Sequence, residues 1–501
     1  MDGKKYTMDS QRQILRHCSE ACRKHIPFKQ RKGVIDIMKE MNAFQSTAEG
    51  ISLIEALKGL INIDSTESEA TETFPFGEGA AKALHYMLSL GDTYGFKTKN
   101  IDSYAGYIEF GEGKEMLGIL CHLDVVPAGD GWTYPPFEGT LVENRLYGRG
   151  TLDDKGPAMA CLYAMKRLKD SGFKPSKRIR LILGTNEESG SQCMDYYVAH
   201  EEIPTLAFSP DADFPVIHGE MGILLFELEK TFEDRLDDGG IHLISLKGGT
   251  AGNMVPDTAE AVLIDRQPVI PILEAYNATK GENLTYARVG ETLVIRATGI
   301  SAHASTPEKG KNAIAALLDF LDLIDLEIGD PANFIRFFNR TIGRETDGSS
   351  FHLKLQDAYN ALVFNLGLID LTEDKGSVTI NIRYPITASE SDVKQGIDAT
   401  LAGSGIAIGK WRNVNPLFYE KDHPLVTTLM DVYRDVTGDN TAEPITIGGG
   451  TYARSVPNAV AFGALFEGSE DLMHQKDEYI AMEDLAKMLM IFEKAIRALS
   501  E

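Results

Sequence analysis

Cysteine is scarce in this chain: there are five in 501 residues (Cys18, Cys22, Cys121, Cys161 and Cys193), an odd number with no CxxC spacing. That excludes a disulfide framework and an all-cysteine zinc site. Cys121 and Cys161 sit in apolar surroundings and read as small core residues. Long apolar runs are also missing, none reaching the roughly 18 residues a membrane span needs. The opening MDGKKYTMDSQRQIL has no apolar stretch of the signal-peptide kind, so the expectation is a soluble cytoplasmic chain with no membrane partner. Positive charge is in deficit, 50 Lys and Arg against 74 Asp and Glu, for a net charge of -24. Such a balance argues against nucleic acid or an anionic surface as a partner. Apolar residues are plentiful at 43%, which excludes general disorder, and the length exceeds what one core organises, so two or more domains are expected.

The most informative stretch is Gly118 to Asp154. The apolar run Met116 to Cys121 ends in His122 and Asp124, and after a Pro/Gly/aromatic loop a second turn carries Asp153 and Asp154. A short apolar run closed by polar residues reads as a buried strand, and open α/β sheets bind ligands at the carboxyl ends of their strands. The pattern repeats: Ile179 to Leu183 runs into GTNEESG with Glu187 and Glu188, and Leu206 to Ser209 runs into Pro210-Asp211. Helices are expected within residues 9 to 62, interrupted near Pro27 and Gly33, with apolar spacing at Val34, Ile37, Met38 and Met41 and at Ile51, Ile54, Leu57 and Ile61. Further helices are expected at Gly79 to Leu90 and Lys155 to Lys169, with a strand at Ala105 to Phe110. Strands alternating with helices predict an α/β domain of three layers around a mixed central sheet.

From about Met221 the texture changes. GILLFELEK, IHLISLKGG, AEAVLIDR and SVTINIRY alternate apolar with polar residues, as half-exposed strands do, and a helix is expected over Gly310 to Leu326. Helical spacing at Leu425 to Val436 and Met482 to Leu499, a glycine turn at Gly448 to Gly450 and an extended Asn458 to Gly463 then restore the first texture. The order predicts one α/β domain, residues 1–221 plus 419–501, interrupted by an inserted α+β domain, 222–418, long enough to be internally duplicated.

His122, Asp153, Glu188, Asp211 and His474 form a candidate ligand set. Two imidazoles with three carboxylates suit zinc, cobalt or manganese better than calcium or magnesium. With one carboxylate shared, two ions about 3.5 to 4 Å apart would each keep an open position for water or substrate. Asp124, two residues past His122, can fix the imidazole tautomer, and Glu187 can transfer protons beside Glu188. Each residue alone also has an ordinary reading: His122 a hydrogen-bonded strand end, Asp153 or Asp154 a helix cap, Glu187-Glu188 a solvated pair, His474 a surface histidine.

The strings HLDVVPAGDGW (122 to 132), GRGTLDDKGP (148 to 157), GTNEESG (184 to 190), SPDADFPVIHGEMG (209 to 222) and MHQKDEY (473 to 479) occur in this order over nearly the whole chain. The sequence resembles the M20 metallopeptidases, and within them the PepV-type bacterial dipeptidases acting on Xaa-His or broad dipeptides. The resemblance implies His122 and Asp211 on one ion, Glu188 and His474 on the other, and Asp153 rather than Asp154 bridging. It implies Asp124 as imidazole orienter and Glu187 as general base toward a metal-bound water, with two divalent ions per chain, zinc first, manganese or cobalt as alternatives. The inserted domain resembles the family's lid, implying His303 as oxyanion donor, Asn253 as a substrate contact and Arg383 as clamp for the substrate's terminal carboxylate. IGGGTYARSVPN (447 to 458) resembles a substrate-facing turn, in which Gly449 and Gly450 allow close backbone approach and Thr451, Tyr452 and Arg454 contact the dipeptide.

The implied activity is hydrolysis of dipeptides bearing a free carboxylate, by a monomer supplying His303 in cis, with a dimer as the alternative. Competing readings are another M20 amidohydrolase (aminoacylase, desuccinylase or carboxypeptidase) or a catalytically silent peptide-binding protein. The physiological metal and the dipeptide preference are open from sequence.

Overall fold

A computed structural model describes residues 44–501. The helices expected before Phe44, together with Cys18 and Cys22, lie outside the described residues. Two compact units make up the described chain: 44–216 with Pro424–Glu443 and Thr451–Glu501, and Ile217–His423 with Pro444–Gly450.

In the first unit six strands run in the order Lys97–Ile101, Ala105–Phe110, Arg178–Gly184, Met116–His122, Leu206–Ser209 and Ala459–Ala461. The first three pair antiparallel and the last four parallel, so the sheet is mixed. Alternation along Ala105–Phe110 shows how the layers form. Gly106 and Ile108 meet Leu84, Leu88 and Gly91 of helix Glu78–Thr93. Tyr107, between them, lies under the Arg180 guanidinium at 3.9 Å, and Arg180 bonds Tyr197 of helix Gln192–His200 on the opposite face. Helices Ala48–Ile61, Lys155–Asp170 and Met482–Ser500 pack together on the Glu78–Thr93 side, completing three layers.

Helix Ala48–Ile61 starts where Thr47 accepts from Gly50 N at 2.9 Å. Its buried face is Leu53, Ile54, Leu57, Leu60 and Ile61, whereas Ile51, expected on that face, is 52% exposed. Cys121 and Cys161 are fully buried, as core residues should be.

The second unit holds an eight-stranded, wholly antiparallel sheet in the order Thr285–Val289, Thr292–Thr298, Thr258–Ile264, His242–Gly248, Val363–Leu371, Lys375–Tyr384, Gly222–Thr231 and Ala407–Val414. It divides into two halves of one connectivity. From the central pair outward, one half follows His242–Gly248 and Thr258–Ile264 with helix Val269–Lys280, edge strand Thr285–Val289 and inner strand Thr292–Thr298. The other follows Val363–Leu371 and Lys375–Tyr384 with helix Glu390–Leu401 and edge strand Ala407–Val414, but takes its inner strand, Gly222–Thr231, from the start of the unit. The halves are therefore related by a circular permutation, which hides the repeat from a linear reading. The helix expected over Gly310 to Leu326 is only Ala313–Leu321: Asn312 caps it by accepting from Ala315 N, and a separate single turn, Pro307–Lys309, precedes it.

Candidate metal centre and active site

Three neighbouring parallel strands deliver the ligands. His122 closes Met116–His122 and pairs with Gly184, so Glu187 and Glu188 leave the sheet beside it. Leu206–Ser209 runs parallel on the other side and releases Asp211 two residues later. Side chains from three segments distant along the chain thus converge at the carboxyl ends of neighbouring strands, where backbone is free to turn.

Asp153 lies at the centre. Its Oδ1 is 2.8 Å from His122 Nε2 and its Oδ2 is 2.9 Å from His474 Nε2. His122 Nε2 is also 3.5 Å from Asp211 Oδ1, and His474 Nε2 is 3.1 Å from Glu188 Oε2. Potential donor atoms of His122, Asp153 and Glu188 lie within 4.8 Å of one another, as do those of His122, Glu187 and Asp211. All five sequence-expected ligands, and Glu187, are brought together within the first unit.

The tautomer of His122 follows from its partners. Nδ1 is 3.0 Å from the carbonyl oxygen of Asp124, which can only accept, so Nδ1 carries a proton and Nε2 is the atom turned to the carboxylates, donating to Asp153 when it is protonated and offering a lone pair only where a metal ion takes that proton's place. The expected orienting group was the Asp124 carboxylate; its Oδ1 stands farther off at 3.5 Å, while Oδ2 accepts from Glu188 N at 3.1 Å. Asp124 thus ties the His122 strand end to the Glu187-Glu188 turn. Asp154 does not cap the following helix: its Oδ2 accepts from His122 N at 3.1 Å.

A lone pair aimed at buried carboxylates is repulsive unless a cation or proton lies between them, and the charges show that demand. Burial and the Asp153 charge push Glu188 up to about 7, and burial pushes Asp211 up to about 6 against the opposing pull of His122. Glu187 is raised by burial and then by Asp211. Burial would lower His474, yet its bonds to Asp153 and Glu188 outweigh it and raise the imidazole to about 11. Glu187, Glu188, Asp211 and both imidazoles thus hold protons more tightly than usual, whereas the bonds from His122 and His474 overcome burial and hold the Asp153 carboxyl well below the usual range; divalent cations in place of those protons would satisfy the same charge, and the donor set fits a metal centre.

Two supports were not singled out from the sequence. Glu478, fully buried four residues after His474, accepts from Gly150 N at 3.2 Å and Leu152 N at 2.8 Å and pairs with Arg149 Nη1 at 2.7 Å. It binds the Asp153 loop to the His474 loop across more than three hundred residues of chain. Buried Lys155 donates to Ile63 O at 2.7 Å and Leu60 O at 3.3 Å, closing the carbonyl end of helix Ala48–Ile61; burial lowers its pKa to about 7. For Lys155 the available signal was a charge set among glycine and apolar residues in GRGTLDDKGP; Glu478, in the polar string MHQKDEY, carried none.

Tyr452 is placed differently from the ligand-facing position expected of it. It is 1% exposed, its hydroxyl lies 2.8 Å from Cys193 Sγ, and its ring stands edge-on to His122 at 6.2 Å, so it backs the histidine. Thr451 caps the short turn Tyr452–Ser455 by accepting from Ala453 N, and Arg454 is half-buried on that turn.

In the second unit, Ala304 N donates to Asn253 O at 2.9 Å and Val255 N to Ala302 O at 2.8 Å, so the Asn253 and His303 loops are laddered together. Arg383 is buried; its Nε donates to Asn381 Oδ1 at 3.1 Å and its Nη1 to Gly448 O at 3.0 Å. Gly448 is the crowded glycine of its turn, since a Cβ there would come within 3.0 Å of Ser305 Cβ. At Gly449 the nearest atom would be Ile447 Cδ1 at 3.6 Å, and Gly450 follows in the same compact unit.

Fold and donor set together define a metal-dependent hydrolase class. Residues 118–498 match the model of peptidase family M20/M25/M40, and this chain belongs to that family and is a metallopeptidase. Two relatives carry the name "Putative dipeptidase": YtjP of Bacillus subtilis, 39% identical over 455 residues (90% of this chain, 97% of the relative), and a Staphylococcus epidermidis protein, 40% identical over 458 residues (89% and 97%). The fold is similar to that of human carnosine dipeptidase 1, with TM-score 0.54, 15% identity and coverage of 95% of this chain and 99% of that one. It is also similar to the di-peptidase Dug1p of Saccharomyces cerevisiae, with TM-score 0.55, 12% identity and coverage of 93% and 98%. Among the described residues no helix is long and apolar enough to cross a membrane.

Proposed function

We propose that this metallopeptidase is a dipeptidase, cleaving dipeptides with a free C-terminal carboxylate at a site holding two divalent ions. The observation that carries the reading is Asp153, whose two oxygens face different histidines, His122 and His474, as a shared ligand would. His122 and Asp211 would hold one ion, Glu188 and His474 the other, with zinc the best match to imidazole and carboxylate and manganese or cobalt the alternatives. Bound there, the ions supply Lewis acidity, acidifying a water and polarising the scissile carbonyl.

Glu187 takes the proton of the attacking water and returns it to the leaving amine; its place among His122 and Asp211 supports that role. Asp124 and Tyr452 keep the His122 ring in place. The inserted segment 222–418, which lies within the second unit, acts as a lid: His303 donates to the oxyanion, Asn253 positions the peptide, and Arg383 binds its carboxylate, a task suited to a planar guanidinium. Gly449 and Gly450 with Thr451 and Arg454 border the substrate's carboxyl end. The names of the relatives support dipeptides as substrates, and the acidic charge argues against nucleic-acid or anionic-membrane partners; the length of the inserted segment, enough for a duplicated lid, supports a monomer, with a dimer as the alternative.

The test is a substrate panel of free dipeptides, their C-terminal amides and N-acyl amino acids, run with zinc, manganese and cobalt in turn. Free dipeptides should be cleaved fastest. Equal rates on the amides would remove the carboxylate clamp, and preference for N-acyl amino acids would replace the dipeptidase reading with that of an acylase. Glu187→Ala should retain metal and lose about 100-fold or more in kcat, the scale of general acid–base catalysis; near-normal turnover would remove Glu187 from the mechanism.

A further inference from the structure

His303 sits on a loop held at both ends. Ile300 and Lys311 exchange backbone hydrogen bonds at 2.8 and 2.9 Å, Met254 and His303 form a β-bridge, and Ala304 is fully buried. Within that frame one neighbour addresses the imidazole twice. Ser305 N donates to His303 Nδ1 at 3.3 Å, and Ser305 Oγ lies 2.6 Å from the same atom. A peptide N–H has only a proton to give, so Nδ1 must offer its lone pair. The hydroxyl then donates to the same lone pair, and the remaining ring proton belongs on Nε2.

We infer that Ser305 is a positioning residue that holds His303 in the tautomer protonated at Nε2, making that atom a hydrogen-bond donor. The inference rests on the proposed role of His303 as oxyanion donor and explains how the ring is prepared for it. The opposite tautomer would present an Nε2 lone pair, which repels a developing oxyanion and is itself a metal ligand. Ser305 therefore selects between a donor that favours the transition state and a third imidazole able to compete for an ion. Its own position is constrained by the Gly448 turn, whose carbonyl also takes the Arg383 guanidinium, so the oxyanion donor and the carboxylate clamp share one support inside the second unit.

Two measurements test this on the full chain. Long-range proton–nitrogen NMR of protein with nitrogen-labelled histidine should show a pyridine-type Nδ1 and a pyrrole-type Nε2 for His303, assigned by loss of the signals in His303→Ala. A pyrrole-type Nδ1 in the wild-type protein overturns the inference without reference to any variant. In kinetics on a free dipeptide, Ser305→Ala should lower kcat about tenfold with KM within about twofold and unchanged metal content, the signature of a group acting only in the transition state. Ser305→Thr, which keeps the hydroxyl, should restore most of the rate. If His303→Ala loses turnover while Ser305→Ala changes neither kcat nor the ring signals, the positioning role fails and the oxyanion role stands. If His303→Ala itself turns over normally, the reading of His303 fails first.

Discussion

The two units hold their chemical groups by opposite means. In the first, His122 ends a fully buried strand and Asp211 follows a largely buried one parallel to it, and the turns carrying Asp153 and His474 are locked by backbone N–H groups converging on Glu478. In the second, Asn253 and His303 ride on laddered loops of a sheet whose strands alternate buried with half-exposed residues, and His303 is oriented by Ser305 two positions away. A metal centre crowds like charges and needs a rigid, deeply supported frame. A hydrogen-bond donor needs only a local partner, because one torsion and one tautomer decide its direction.

That contrast can be broken most severely at Glu478. Glu478→Ala leaves Arg149 buried without its carboxylate and frees two loop amides; removing one partner of such a pair costs about 3 to 5 kcal/mol. The expected result is loss of metal per chain and of thermal stability together, while a hydroxyl deletion at Ser305 leaves both unchanged. Retention of full metal content by Glu478→Ala would show that the frame around Asp153 is not what holds the centre.

A milder perturbation lies at Gly184. A Cβ there would sit 2.0 Å from the Tyr452 hydroxyl, and the buried ring has no room to retreat. Gly184→Ala should cost about 1 to 3 kcal/mol by overpacking and weaken metal binding through His122, measured by denaturation and by metal titration. Unchanged metal affinity would separate Tyr452 from the support of His122.

The smallest effect is expected in the second unit, at Asp330. Burial would raise its pKa, but Lys230 at 2.8 Å and the N–H groups of Glu233 and Asp234 outweigh it and hold the carboxyl below the usual range. A folded-state pKa below the unfolded one stabilises fully above about pH 4 and is lost as pH falls through the lowered value. Asp330→Asn should remove about 1 kcal/mol at neutral pH and flatten that acid limb in denaturation curves; an identical acid limb in both proteins would rule the pair out as a source.

Much of the first unit was legible because buried strands and the polar residues that close them are a local pattern. Ala105–Phe110 and Leu206–Ser209 were placed to the residue, and Lys155–Asp170 to within one. The ligand candidates could be named for the same reason, although their grouping required the family resemblance. Sheet order was not legible, nor was Glu478 meeting Arg149, since nothing local distinguishes a buried glutamate from a solvated one in MHQKDEY. Asp124 was found, but which of its oxygens meets His122 is a matter of backbone direction after the strand end. The duplication could be raised from length but not shown from the sequence, because the second half of the sheet takes its inner strand, Gly222–Thr231, from the start of the unit.

Sequence by itself determined where strands stop, which titratable side chains stand at those stops, and that two textures of chain alternate, because hydrophobic period and chain punctuation are short-range properties. Only the tertiary structure decided that Asp153 stands between two histidines, that Tyr452 backs one of them, and that Ser305 addresses the ring of a third. Those relations depend on packing and hydrogen-bond direction among segments distant along the chain, or on a loop's conformation, and residue order encodes neither until the backbone closes on itself.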